Sequence, residues 1–289
     1  MNPTQNEKVP RRSALKLIGT SGLALTLSGV LGYLYGFQIE PYWLSVEHVR
    51  IPIKDLPDEL EGFTLVCLSD FHHEPSDNLR HVRRVVETVN ELHPDVICLL
   101  GDYVFSDAKA IYALVEPLSD LQATEGVYAV LGNHDYWTDV HTVIEGLQQA
   151  GSVVLINQVV RLERGGQSLF LIGLDDGWSG TPDPMGPLRS TPADVPAIML
   201  MHEPDFADGI AALGQVDLQL SGHSHGGQVK PFFLKAPFRP QYAQKYVAGL
   251  YQVDQLQLYV TRGVGTIPPR ARFNCRPEIT EIVLIPAGS

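Results

Sequence analysis

The chain has 289 residues and an apolar fraction of 44%, enough for one large α/β domain or two smaller domains. That composition argues against wholesale disorder. The formal net charge of −12 argues against a nucleic-acid partner, because proteins that bind nucleic acid neutralise its phosphates with basic side chains.

Residues 1–38 have the pattern of an export signal. Arg11 and Arg12 precede an uncharged stretch that runs over residues 17–38. Paired arginines before an apolar segment are typical of twin-arginine signals, and about 20 apolar residues are enough to span a bilayer. Since no clear cleavage site follows, we expect an uncleaved membrane anchor with the rest of the chain outside the cytoplasm. The alternative is a buried helix of a soluble protein.

Residues 39–60 predict a linker and then an edge strand. Val49, Ile51 and Ile53 alternate with polar positions, and Pro52 confines the strand to a sheet edge. We expect residues 61–289 to form one domain, because short apolar runs recur throughout it. The runs are 64–69, 96–100, 127–131, 153–157, 168–174, 197–201, 217–220, 256–261 and 281–285.

The stretches between these runs predict an α/β fold. Residues 79–92, 108–122 and 140–150 have helical spacing, so the first half consists of strand–helix–strand units. Closely spaced runs over 153–174 predict antiparallel pairing, with residues 164–167 as a hairpin turn. Residues 177–196 predict a long loop, and such loops are often functional lids.

The cysteines do not predict a disulfide framework. Cys67 and Cys98 lie within apolar runs, so we expect buried, inert thiols. Cys67 lies three residues before Asp70, and Cys98 lies four residues before Asp102. If both strands end level at their carboxylates, this difference in parity predicts thiols on opposite faces of the sheet.

Five polar clusters each follow an apolar run directly. Ligand sites of open α/β sheets form at the carboxyl ends of strands, so distant clusters of this kind converge on one rim. The clusters are Asp70 with His72, Asp102, Asn133 with His134, His202, and His223 with His225.

These residue types predict a metal centre. Carboxylates, imidazoles and one carboxamide, without a thiolate, suit Mn, Fe or Zn. The ligands are too many for one tetrahedral ion and sufficient for two ions that share a carboxylate. Two divalent ions roughly 3.5–4 Å apart stabilise both oxygens of an in-line displacement at phosphorus, and their charge lowers the pKa of a bound water so that hydroxide is the nucleophile.

The clusters resemble, in order, the five sequence blocks of the calcineurin-like metallophosphoesterases, over about residues 60–230. This resemblance implies a two-sheet αββα sandwich with the metal site at the carboxyl ends of the strands. It implies one metal bound by Asp70, His72, Asp102 and His225. It implies a second metal bound by Asp102, Asn133, His202 and His223. His134 corresponds to the catalytic histidine of the family, and Asp135 is expected to orient it.

Three further segments resemble a branch of twin-arginine-exported or membrane-anchored bacterial phosphodiesterases that also contains UDP-2,3-diacylglucosamine hydrolase-like members. The segments are 40–43, Gly226-Gly227-Gln228, and 261–265. Arg262 in the last segment is expected either to hold a phosphate oxygen or to form a structural ion pair. His73, next to a ligand motif, is expected on a surface loop.

Together these features predict a membrane-anchored, extracytoplasmic phosphodiesterase with an envelope or lipid-linked substrate. A basic and aromatic stretch, residues 230–246, is expected either to contact lipid or a lipid-linked phosphate or to be an ordinary packed loop. One alternative is a UDP-2,3-diacylglucosamine pyrophosphatase of lipid A synthesis, although that substrate faces the cytoplasm. Another is a catalytically silent metal-binding envelope protein, which would be expected to have lost His134 or a ligand.

Overall fold

The computed structural model describes residues 26–230 and 236–288, and within them the apolar runs form two sheets. The strands are β1 Ser45–Ile53, β2 Thr64–Leu68, β3 Val96–Leu100, β4 Gly126–Val130, β5 Val153–Val154, β6 Gln158–Arg164, β7 Gln167–Gly173, β8 Ala197–Leu200, β9 Leu218–Ser221, β10 Gly249–Val253, β11 Leu256–Val260 and β12 Glu278–Pro286. The helices are α1 Arg80–Glu91, α2 Ile111–Ser119, α3 Asn133–Trp137, α4 Val140–Gln149, α5 Met185–Leu188 and α6 Ala207–Ala211.

Residues 26–34 are also helical and continue into a π-helical turn at Tyr35–Ile39. Within the described ranges, none of the helices has both the length and the hydropathy needed to cross a membrane. Residues 1–25, which carry the paired arginines and the first part of the predicted anchor, lie outside the described residues. The anchor therefore stays a prediction.

Each sheet has a largely parallel centre. The first sheet has the order β1-β12-β2-β3-β4-β5, in which β2, β3, β4 and β5 are parallel and β12 is antiparallel to β2. The second has the order β10-β11-β9-β8-β7-β6, with antiparallel pairs at its two edges. β1 lies at an edge, as Pro52 predicted, because an edge strand tolerates a residue without an N–H donor.

The two sheets pack face to face between two helical layers. One core lies between the sheets and takes alternate residues of β2, β3, β8 and β9. A second core lies between the first sheet and helices α1, α2 and α4. A third lies between the second sheet and helices α5 and α6. This is the expected αββα sandwich, and both faces of its central strands are buried, which explains their continuous apolar sequences.

The expectation for the cysteine faces was wrong. Cys67 and Cys98 are direct partners in the register of β2 and β3, and both lie in the core between the sheets. The prediction assumed that Asp70 and Asp102 lie level in the sheet. Asp70 instead lies beside Gly101, to whose carbonyl its N–H bonds, so the two strands are staggered by one residue. The thiols are free and buried, as expected.

The pairing predicted for residues 153–174 was correct only in part. The hairpin over 164–167 joins β6 to β7, but Val153 and Val154 belong to the other sheet and pair in parallel with β4. The weakly apolar strands β6 and β10 had no clear signal, because they lie at sheet edges and keep many exposed positions.

Tyr103 joins the ends of β3 and β4 from inside the core. Its side chain is fully buried, and its hydroxyl hydrogen is shared between the carbonyls of Leu99 (3.1 Å) and Val130 (2.9 Å). These bonds connect the two strands just below the turn that carries Asp102.

We expect Tyr103→Phe to lower the free energy of unfolding by about 1–3 kcal/mol, because two buried carbonyls lose a donor. Denaturant titration measures this change. Tyr112→Phe is the matched control, since that hydroxyl is exposed and bonds only to Glu145, and we expect an effect within about 0.5 kcal/mol. Equal effects of the two substitutions would contradict the structural role of Tyr103.

Candidate metal centre

The site is built on turns at the carboxyl ends of neighbouring strands. Asp70 and Asp102 have left-handed backbone angles, with φ of 56° and 58°, so each turn leaves its strand abruptly. The turns are hydrogen-bonded to each other, since the N–H of His72 donates to the carbonyl of Asp102 over 3.1 Å. The two turns that carry the carboxylates of Asp70 and Asp102 are therefore fixed relative to each other by backbone hydrogen bonds.

Two glycines allow these turns to approach closely. A Cβ atom at Gly132 would lie 2.3 Å from Oδ1 of Asp102, and one at Gly222 would lie 1.9 Å from Oγ of Ser69. No side chain fits at either position without displacing a carboxylate turn. Gly132 and Gly222 thus allow their own segments to pack directly against the turns that carry Asp102 and Asp70.

Three side chains form the first half of the site. Nε2 of His225 lies 3.4 Å from Oδ1 of Asp70 and 2.9 Å from Nε2 of His72. Nε2 of His72 lies 3.8 Å from the same oxygen of Asp70. Asp70 and the rings of His72 and His225 are buried, and together they are suited to hold a metal ion.

The second half is built around Asp102. Oδ2 of Asp102 lies 3.2 Å from Nε2 of His202 and 3.5 Å from Nε2 of His72, so one oxygen lies between both halves. Nδ1 of His223 lies 3.2 Å from Nε2 of His202. Backbone carbonyls fix both rings, with Nδ1 of His202 bonded to Leu100 and Nε2 of His223 bonded to Gln241.

The donor set fits divalent cations. Oδ1 of Asn133 is buried without a hydrogen-bond donor, and the closely spaced ring nitrogens of His72 and His225 face the carboxylate of Asp70. Acceptor atoms in this arrangement need a positive charge among them. Oxygen and imidazole ligands without thiolate suit Mn, Fe or Zn.

The protonation states largely agree with cation binding. Burial alone raises the pKa of Asp102, but the imidazoles of His202 and His72 outweigh it and hold that pKa well below its ordinary range. Burial, followed by the nearby His202, lowers the pKa of His223 to about 4, so this ring is neutral at neutral pH. At His202 the carboxylate of Asp102 outweighs burial and raises the pKa, so a metal ion there displaces a proton.

His134 lies at the side of this cluster. Its ring stacks on Phe105 at 5.0 Å between centroids, and Nδ1 bonds to the carbonyl of Phe105 over 2.9 Å. Nδ1 is therefore the donor, and Nε2 is left for a substrate. Burial lowers the pKa of His134, against the opposing effect of Asp102.

The expected role of Asp135 as the partner of the His134 ring was wrong. Its carboxylate accepts hydrogen bonds from the backbone N–H groups of Asp102, Tyr103 and Gly132, at 2.9–3.0 Å. The side chain follows the turn of α3 back into the protein, away from the imidazole that precedes it. Asp135 thus positions the two turns, and the Phe105 carbonyl orients His134.

Arg262 has the contacts of a structural ion pair. Its guanidinium lies 2.6 Å from Glu47 and 2.8 Å from Glu278, two carboxylates of the first sheet. These contacts match one of the two interpretations of this residue and give no support to phosphate binding. His73 was expected on the surface but is buried beside the Asp102 turn, where the backbones of His73 and Tyr103 are bonded.

A second arginine, Arg272, secures the turn that carries Asp70. It is fully buried and donates to the carbonyls of Arg262, Gly263, Gly265 and Cys275. The loop that it holds bonds in turn to the backbone of Ser69 and Asp70. The motif over residues 261–265 is therefore a support for a metal ligand.

Two tryptophans at the site were missed by sequence reasoning. Trp137 contacts His134 at 4.8 Å between centroids, and Trp178 contacts Trp137 and His223. Trp137 lies one helical turn after His134, which was a usable signal. Trp178 comes from the long loop over 177–196, whose sequence does not indicate where it folds.

The family model for calcineurin-like phosphoesterases matches residues 63–227, more than half of the chain. The chain belongs to this family. It is 34% identical to the uncharacterized metallophosphoesterase YkuE of Bacillus subtilis, over 96% of this chain and 98% of that protein. It is 32% identical to the phosphodiesterase YaeI of Escherichia coli, over 91% and 96% of the two chains. A transmembrane protein with a metallophosphoesterase domain from Danio rerio is 36% identical, over 91% of this chain and 62% of that protein.

This calcineurin-like phosphoesterase is a metal-dependent phosphoester hydrolase. The predicted superfamily and fold are confirmed. The structure brings all seven predicted ligands and His134 to one rim, while Arg262 lies apart, paired with carboxylates of the first sheet.

We expect Asp135→Asn to weaken metal binding by about 10- to 100-fold, because an amide NH₂ replaces one of the two oxygens that accept the three backbone hydrogen bonds. Titration with Mn²⁺ measures this affinity. If Asp135 instead served only the His134 ring, kcat would fall with metal affinity unchanged. Asp139→Asn is the control, since this exposed residue caps α4 and asparagine caps a helix equally well.

Proposed function

We propose that this hydrolase is a phosphodiesterase with two divalent ions, anchored in the membrane and acting outside the cytoplasm on a phosphoester of the cell envelope. The observation that carries the proposal is the position of Asp102, one of whose carboxylate oxygens lies within 3.5 Å of imidazoles from both halves of the site. An oxygen in this position is suited to bridge two cations.

Asp70, His72, Asp102 and His225 would hold one ion, and Asp102, Asn133, His202 and His223 would hold the other. When bound, such ions polarise phosphoryl oxygens and make a water molecule acidic enough to be a nucleophile at neutral pH. The donor set fits Mn, Fe or Zn and does not discriminate among them.

His134 supplies the proton transfer. With Nδ1 bonded to the Phe105 carbonyl, Nε2 is the nitrogen that meets the substrate. In its protonated form it donates to the oxygen of the departing alcohol. Burial lowers the pKa of His134 and so makes the protonated ring a stronger acid. The stack on Phe105 and the contact with Trp137 restrict the ring to this orientation.

Two features support a diester as the substrate. The cavity over the ligands, of about 260 Å³, has an aromatic side at Trp137 and Trp178 and an apolar side at Phe238 and Ile267. The cavity therefore extends beyond the ligands to side chains that can contact the organic groups of a diester. The E. coli relative carries the name phosphodiesterase.

The envelope assignment rests on the sequence of residues 1–38. The arginine pair and the uncharged stretch after it support export in a folded state, with the anchor retained. The full-length match to the B. subtilis relative includes most of this segment, since it covers 96% of the chain.

We expect the purified chain loaded with Mn²⁺ to hydrolyse bis-p-nitrophenyl phosphate and to contain two ions per chain by elemental analysis. His134→Ala should lower kcat by about 10²- to 10⁴-fold with both ions retained, because only the proton donor is lost. Asp102→Asn should lose bound metal as well as activity. The control is His141→Ala, which changes an exposed imidazole. A metal-loaded wild type that hydrolyses none of several phosphoester classes would overturn the proposal.

We expect a reporter fused after residue 45 to be found in the membrane fraction with the reporter outside the cytoplasm. Replacing Arg11 and Arg12 by lysine should retain the reporter in the cytoplasm, since the signal depends on the arginine pair. A matched Lys8→Arg fusion should behave as the wild type. A soluble cytoplasmic wild-type product would contradict the assignment.

A further inference from the structure

A second cavity, of about 250 Å³, opens beside the metal centre. One wall is formed by Pro237, Phe238 and Pro240, and another by the segment 267–269. The turn over residues 224–229, which follows the ligand His223 and contains His225, forms its floor. Hydrolysis of a phosphoester at the metal ligands requires none of the residues that form these walls, so the cavity has another role.

This cavity adjoins the space over the metal ligands. Four residues line both: His225, Phe238, Pro240 and Ile267. A phosphoester whose phosphorus lies at the ligands therefore has Phe238 and Ile267 within reach of one of its substituents. The other substituent lies toward Trp137 and Trp178.

The cavity offers almost nothing to a polar substituent. None of the described residues that line it has a charged side chain of the Lys, Arg, Asp or Glu type. The amide of Gln228 is fully used, since Nε2 donates to the carbonyls of Ile267 (2.9 Å) and Pro269 (3.0 Å) and Oε1 accepts from the N–H of Ile267 (2.9 Å). The hydroxyl of Ser224 donates to the carbonyl of Val247 and accepts from the N–H of Gly226. A sugar or a charged group would lose its hydration here without replacement.

The walls are formed in advance of ligand binding. Gln228 fixes the segment 267–269 to the floor through the three bonds just described. Prolines at 237, 240, 268 and 269 restrict the backbone on both sides, so little conformational entropy is lost on binding. Phe238 remains 61% exposed at the boundary of the two cavities, where a hydrocarbon chain would cover it.

We propose that this cavity binds the hydrocarbon chain of the substrate, which is a phosphodiester carrying an alkyl or isoprenoid alcohol on one ester oxygen. The inference rests on the proposed phosphodiesterase function and names the substrate class of that same site. It also assigns a role to Gln228 of the Gly-Gly-Gln motif, as the residue that holds the cavity wall in place.

The first experiment compares p-nitrophenyl esters of methyl, butyl and hexyl phosphate as substrates of the full, Mn²⁺-loaded chain. We expect kcat/KM to rise at least about tenfold from methyl to hexyl, since each fully buried methylene contributes up to about fourfold. Equal values for methyl and hexyl esters would overturn the inference while leaving the proposed function intact.

The second experiment repeats the comparison with cavity variants. In Phe238→Ser and Ile267→Thr the hexyl-to-methyl ratio of kcat/KM should fall below about threefold, because less apolar surface is buried. Leu250→Ser is the matched control, an exposed apolar residue of β10 outside both cavities, 45% exposed. Its ratio should equal that of the wild type. Thermal unfolding of each variant separates a lost cavity from a lost fold.

A binding measurement separates the inference from catalysis. Calorimetry with hexylphosphonate and methylphosphonate requires no turnover, and we expect at least about tenfold tighter binding of the hexyl compound to the wild type. This preference should be lost in Phe238→Ser. If it is found in a protein that hydrolyses no ester, the proposed function fails and the apolar site stands. If phenylphosphonate binds as tightly as hexylphosphonate and Phe238→Ser changes neither, recognition lies at Trp137 and Trp178 and the inference is overturned.

Discussion

The metal centre depends on one buried carboxylate that is itself not a ligand. Asp135 accepts hydrogen bonds from the backbone of Asp102, Tyr103 and Gly132 and so joins the turn after β3 to the turn after β4. The N–H of His134 then donates to the carboxylate of Asp102 from the neighbouring turn. A carboxylate that lies between both halves of the site has to be fixed in position, and one carboxyl group achieves this because it accepts three backbone donors that would otherwise be unpaired.

A buried cation has the complementary function at the other end of the site. Arg272 donates to four backbone carbonyls and fixes the loop that supports Asp70, as Asp135 fixes the turns around Asp102. Both side chains belong to the supporting layer and neither adds charge to the ligand set directly. In both cases the polar group is stabilised by hydrogen bonds to the backbone, which permits its full burial.

The positions of the ligands were predictable because each follows a run that could only be a buried strand. The contacts that support the ligands were not predictable from the sequence, for a different reason in each case. Asp135 follows His134 in the chain, yet the helical turn directs the two side chains apart. The faces of Cys67 and Cys98 depend on a stagger of one residue between β2 and β3, which apolar runs do not encode. The position of Trp178 depends on how a long loop folds, and no periodicity records that.

The candidate catalytic residues and the walls of the apolar cavity also lie in different parts of the chain. All seven predicted ligands, His134 and Asp135 lie within residues 63–227, the part that matches the family model. The walls of the apolar cavity come from residues 237–240 and 267–269, beyond that match. The turn that begins with His223 and His225 and ends at Gln228 links the ligands to this cavity, because the amide of Gln228 bonds to the segment 267–269. If the apolar cavity binds the alcohol as proposed, the substrates of relatives are expected to differ with residues 237–240 and 267–269, while the metal site acts on the phosphoryl group that all phosphoesters share.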